Sequence, residues 1–204
     1  MRRFKLLLVT LLFSSFCLAS TWELNNSESY LHFNSTKNVM TPATAPAVAP
    51  ITEENTFKVL TGTVDEKGNA VLKIDLNSVD TRIGIRDERM KSKLFQTDQY
   101  PEAVFTTQLD LNSLNDVNEI PRNGPLKGQL ELHGVKHEIT TQVSVTKLDD
   151  TSVEVKNIQA VMINAAVYNL TPGVNELMSL ANLQNISLEV PVNFVLVFVQ
   201  NQSP

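Results

Sequence analysis

Apolar and polar residues alternate with a period of two along most of the chain. From Leu126 to His133, the residues Leu126, Leu130 and Leu132 share one face while Lys127, Gln129, Glu131 and His133 share the other. That pattern marks a strand with one face in water. Ile139, Thr141, Val143 and Val145 alternate in the same way with Thr140, Gln142, Ser144 and Thr146, and Gly134 stands between the two runs as a turn residue. The two runs are expected to form a hairpin. Similar alternation covers Tyr30–Thr36, Phe57–Asp65, Ala70–Leu76, Ala103–Leu111, Val153–Ile163 and Ile186–Val199. With the hairpin counted as two, eight strands are expected. The links Glu66–Asn69 and Leu148–Thr151 are short, which favours antiparallel neighbours, and many such strands favour a barrel or a sandwich.

Two segments depart from this period. Arg82–Phe95 places Ile83, Arg86, Met90 and Leu94 near helical spacing, and Pro172–Ala181 opens on a helix-compatible proline with Val174, Leu177, Met178 and Ala181 on one side. Both are expected to be short helices. Thr41–Pro50 carries three prolines and no period, which predicts an exposed loop near one rim. In the last strand Ile186, Leu188, Val190, Val192, Phe194, Leu196 and Phe198 form one apolar row and Val195, Val197 and Val199 a second near the end. A strand covered on both sides there accounts for this. Pro191 cannot donate to a ladder, so a bulge or an unpaired position is expected at that point.

The first 20 residues change the picture of where the protein works. Arg2, Arg3 and Lys5 precede an apolar run from Leu6 to Phe16 and a small-residue end, Leu18-Ala19-Ser20. This is the layout of a secretory signal peptide, and the run is short for a spanning helix, which needs about 20 apolar residues. Residues 1–20 are therefore expected to be cleaved, leaving one domain over 21–204, exported and without a transmembrane anchor. The single cysteine, Cys17, leaves with the signal, and bulky Phe16 before it disfavours a lipoprotein site. Disulfides and thiol chemistry are then excluded from the mature domain. Loss of three of the 17 basic residues against 22 acids moves the formal charge from −5 to −8. Nucleic acid is a poor partner for that balance.

One ordered set of motifs carries a resemblance. Asn77-Ser78-Val79-Asp80-Thr81 leads to Arg86-Asp87-Glu88-Arg89-Met90-Lys91-Ser92, then Leu94-Phe95, Tyr100-Pro101-Glu102-Ala103-Val104-Phe105, and Gly128–Val135 with its His133-Gly134-Val135 turn. With Trp22-Glu23-Leu24 and Ser29–Phe33, this order resembles the YceI family of exported lipid-binding proteins over nearly the whole mature chain. The resemblance implies an all-β fold, an extended eight-stranded antiparallel barrel similar to a lipocalin, with one or two short helices. It also implies a periplasmic location and an apolar channel that holds a polyisoprenoid such as a quinone tail, a function of binding rather than catalysis. The chain departs from that pattern where Arg89 replaces a histidine common after the Arg-Asp-x unit. It departs again at Ser35-Thr36-Lys37-Asn38 and the proline-rich loop, so head-group recognition is expected to differ.

An eight-stranded barrel is near the size at which the interior either fills with side chains or holds one slender ligand. A lining of Phe33, Phe57, Val59, Phe105, Leu109, Leu130, Val143, Val161 and Ile163 is expected, with Met90, Leu94 and Phe95 from the helical segment near one end. The competing reading of these positions is an ordinary packed core. Arg86 with Asp87 is expected either to brace the rim or, with Arg89 and Lys91, to meet an anionic or quinone head group. His133 and His137 flank a turn but lack a third ligand or a catalytic carboxylate pattern, so no metal is assigned. No phosphate loop, Ser-His-Asp arrangement or paired-carboxylate cleft is visible. No catalytic residue and no cofactor beyond the bound isoprenoid lipid or quinone follow. A homodimer is compatible with the sequence, and an interaction module docking a protein partner through the proline-rich loop or acidic surface is the alternative function.

Overall fold

The computed structural model describes residues 21–42, 44, 48–111 and 120–201. The expected signal segment, 1–20, lies outside the described residues. The strands are β1 (Thr21–Leu24), β2 (Tyr30–Val39), β3 (Ile51–Phe57), β4 (Leu60–Val64), β5 (Asn69–Asp75), β6 (Val79–Asp80), β7 (Glu102–Gln108), β8 (Arg122–Leu132), β9 (Val135–Lys147), β10 (Ser152–Asn157), β11 (Val161–Asn164), β12 (Leu183–Ile186) and β13 (Glu189–Asn201). Helix α1 spans Gly84–Arg89 and continues as a π-helical turn, Met90–Phe95, and α2 spans Thr171–Leu180 with Pro172 in its first turn.

All pairings are antiparallel and they close a ring. β13 pairs with β1 through Leu24↔Phe198 and with β2 through Val192↔Phe33, so β1 and β2 are two halves of one interrupted strand. Across from β13, β2 pairs with β3 and β1 with β4, which makes β3 and β4 likewise two halves of one strand. The ladder runs on through β5, β7, β8, β9 and β10 and returns to β13. Counted this way, eight strands form a closed antiparallel barrel with two short helices.

The β8–β9 hairpin follows the alternation. Leu132 faces Val135 across a two-residue turn in which His133 (φ 52°) and Gly134 (φ 75°) are both left-handed. That combination gives the turn the same twist as the strands it joins. Pro191 has a ladder partner in Met162 of β11, while pairing with β2 starts only at Val192. The missing N–H therefore falls where no β2 bond is made. The described part of the proline-rich stretch is exposed and without strand, between β2 and β3.

Three boundaries differ from the alternation. β3 starts at Ile51, six residues before Phe57, because its inward positions Glu53 and Asn55 are polar and hide the period. The expected single strand from Val153 to Ile163 is two, β10 and β11, and the last strand is preceded by a separate piece, β12. Between β3 and β4, Lys58 and Val59 belong to neither strand, and Phe57 and Leu60 are both buried. The break shifts the inward phase by one residue, as an extra residue in a ladder does.

The inward row of β13 shows how the interior is used. Leu196 is buried and Phe198 packs against the core beside Leu24, Leu60 and Leu72, so this end of the barrel is filled with side chains. On the outer row at the same end Val197 is buried as well, and its N–H donates to Ser29 Oγ at 2.9 Å. The next residues of the inward row, Phe194, Val192 and Val190, line a cavity instead.

Candidate binding cavity

The cavity has a volume of about 620 Å³ and occupies the half of the barrel remote from β1 and β4. It falls within the range of small-molecule pockets. Most of its wall is hydrocarbon. Leu31, Phe33, Phe57, Ile74, Phe105 and Leu130 come from the strands, and Met90, Leu94, Phe95, Val174 and Leu177 from the helical segments. Phe33 and Phe57 stack at 5.2 Å between ring centroids, and Phe57 meets Phe95 at 5.8 Å. Such pairs fix ring positions beyond simple burial.

Two helical pieces cap this half. α2 packs on the π-helical turn, and a Cβ on Gly173 would meet Lys93 O at 2.6 Å and Leu94 Cα at 2.7 Å. Only glycine permits this backbone approach. Lys93 and Glu176 bridge the same pair at 3.0 Å. Beside the cap, Ile83 and Ile85 line the cavity although Ile85 is 62% exposed, which marks the mouth.

One sector of the wall is polar. Ser35 and Lys37 of β2 and Glu53 and Asn55 of β3 face inward, with Ser35 opposite Glu53 and Phe33 opposite Asn55 in the ladder. Glu53 Oε2 accepts from Lys37 Nζ at 2.6 Å and from Arg86 Nη1 at 2.5 Å. The Lys37 ammonium, with Arg86 beside it, holds the Glu53 carboxyl below the usual carboxylate range against the opposing effect of burial. Arg86 Nη2 donates to Thr81 O at 2.9 Å, and Asp87 Oδ1 accepts from Thr81 N at 2.8 Å and from its hydroxyl at 2.5 Å. Arg86 and Asp87 thus brace the rim by gripping Thr81 from two sides. Arg89 also lines the cavity, whereas Lys91 does not and instead pairs with Glu88 at 2.9 Å.

The structure places nine of the twelve expected lining residues on the cavity, Phe33, Phe57, Met90, Leu94, Phe95, Phe105, Leu130, Val161 and Ile163, together with Arg86, expected as a rim brace or head-group contact. Val59 points outward, 44% exposed, because of the phase shift after Phe57. Leu109 lies beyond the end of β7, its N–H bonded to Gly68 O, and is not part of the lining. Val143 is buried but sits one step past Thr141, where the β9 contribution to the cavity ends. Lys37, Glu53 and Asn55 are inward positions that the alternation does not mark as such. The signal present was the even spacing of Ile51 and Phe57 around them. His133 packs on Tyr100 at 4.4 Å with Nε2 3.2 Å from Gln96 Oε1, and His137 lies against Tyr168 at 6.2 Å. The two rings therefore have separate surroundings.

A closed antiparallel barrel with one end packed, the other hollow and apolar, and a helical cap defines a lipocalin-like barrel. The model of the YceI-like domain matches residues 22–198, and the chain belongs to that family. Among solved structures, a polyisoprenoid binding domain from Saccharophagus degradans, implicated in plant cell wall breakdown, is 35% identical. It covers 88% of this chain and 98% of its own, with a TM-score of 0.79. BcnA of Burkholderia cenocepacia shares the fold at 16% identity, covering 85% of this chain and 98% of its own with a TM-score of 0.58. The Campylobacter jejuni YceI protein does so at 14%, covering 82% and 93% with a TM-score of 0.53. No curated protein matches the sequence with significance.

Proposed function

We propose that this protein is an exported binding protein that carries an isoprenoid lipid, a quinone or a polyprenyl chain, through the periplasm with the tail in the barrel cavity. The observation that carries the reading is the hydrocarbon-lined space of about 620 Å³ with a single polar sector. Burial of an apolar tail there gains about 25 cal/mol for each Å² removed from water, and few wall groups oppose it. The 35% identity to a polyisoprenoid binding domain supports an isoprenoid over other apolar ligands. The basic and apolar layout of residues 1–20 supports export. Nothing in the reading requires a chemical step on the lipid, and the proposal is for binding alone.

Ligand that binds only the folded state raises stability by about 2.7 kcal/mol at a hundredfold excess over Kd. Delipidated protein is therefore expected to melt several degrees higher with a short-tailed isoprenoid quinone or an isoprenoid phosphate. Ala103→Trp, which pushes an indole into the cavity from a position that is 4% exposed, is expected to abolish that shift. No shift with any isoprenoid, in protein whose circular dichroism is native, would overturn the reading.

A further inference from the structure

We propose that the polar sector is a subsite for a phosphate head group, so that the lipid carried is an isoprenoid phosphate or diphosphate rather than a quinone. The inference rests on the reading above that the cavity takes an isoprenoid lipid, and it selects among its head groups. Charge is the first observation. The described cavity lining carries three cations, Lys37, Arg86 and Arg89, against one carboxylate, Glu53, in a chain whose formal charge is −5. Glu53 is taken up by Lys37 and Arg86 together, which leaves an excess of positive charge facing the lipid. The Arg89 side chain has no hydrogen bond or ion pair to any described residue.

Unpartnered atoms are the second observation, and they are independent of the charge. Asn55 is 4% exposed, its Nδ2 donates to Glu53 O at 3.2 Å, and that bond fixes which amide atom is the oxygen. Asn55 Oδ1 is buried without a partner among the described residues, and so is Arg86 Nε. Both residues line the cavity, and Asn55 lies one strand repeat, roughly 7 Å, from the Glu53 that holds the Arg86 guanidinium. The site therefore wants one hydrogen-bond donor for Asn55 and negatively charged acceptors for Arg86 and Arg89. A phosphate offers P–O oxygens that accept from the two arginines, and its monoanionic form also carries a P–OH that donates to Asn55 Oδ1. A quinone has two carbonyl acceptors and no donor, so it leaves Asn55 Oδ1 unpaired and the charge uncompensated. An isoprenoid alcohol pairs with Asn55 but brings no charge.

The test compares three probes with equal tails, farnesyl phosphate, farnesol and a quinone bearing three isoprene units, by titration into the delipidated mature chain. The phosphate is expected to bind at least tenfold tighter than the other two. Arg89→Gln and Asn55→Leu are each expected to shrink that preference severalfold, and Lys91→Gln, outside the cavity, to leave it intact. Equal affinity for the three probes, or a preference unmoved by both cavity variants, would overturn the phosphate subsite while leaving the carrier reading standing. Binding of none of the three would overturn both.

Discussion

Phe57 and Val59 stand two residues apart in the sequence and on opposite sides of the barrel wall. Strict alternation puts them on one face, and only the Lys58-Val59 step, which belongs to neither strand, separates them. Phe57→Ala is expected to cost about 3 kcal/mol or more and Val59→Ala no more than about 0.5 kcal/mol in urea denaturation. Equal costs would contradict the phase shift. Glu53 shows the opposite difficulty, since a carboxylate on a strand reads as solvent-facing, and only the ladder reveals that it faces Lys37 and Arg86 inside. Its carboxyl lies below the ordinary value of 4.5. The stability it adds is therefore complete above about pH 4.5 and is lost as pH falls through the lowered value. Its side chain is partly exposed, so Glu53→Gln is expected to cost only about 1 kcal/mol at pH 7. That difference from the natural protein should shrink in denaturation curves as the pH is lowered below 4.5, and a gap that stays constant on acidification would contradict the ion cluster.

At the scale of elements, the strands with one apolar and one polar face were legible because burial on one side imposes a period of two. β8, β9 and β7 are such strands. β3 was not, because a polar sector inside a barrel erases the contrast that the period depends on. β1 spans only Thr21–Leu24, too short for a period to register, although it closes the ring by pairing with both β4 and β13. The helical cap was legible from its spacing, but its π-helical turn and its docking were not, and the docking depends on a close backbone approach at Gly173. Gly173→Ala forces a Cβ against the backbone of Lys93 and Leu94, which cannot swing aside. It is expected to cost about 1–3 kcal/mol and to speed ligand loss, because α2 and the turn it pushes away both line the cavity. Thermal denaturation and the release rate of a fluorescent isoprenoid check this, and an unchanged release rate would mean that the cap does not hold the ligand in.

For the whole molecule, composition and alternation left open whether the barrel is packed or hollow. The structure divides the two states along one strand, with Leu196 and Phe198 of β13 in the packed end and Val190, Val192 and Phe194 at the cavity. The packed end supplies the closed, stable ring, and the hollow end leaves room for a ligand although its lining, Phe33, Phe57 and Met90 included, belongs to the same core. Sequence alone could not show this, because the same apolar row runs through both halves without interruption. The most direct measurement is native mass spectrometry of the protein purified from the periplasm without detergent, followed by organic extraction of the released ligand. The protein is expected to carry one isoprenoid lipid per chain, with a mass increment that extraction removes. Protein that is reproducibly free of lipid, or that carries only ordinary phospholipid, would contradict the role of the cavity as an isoprenoid carrier.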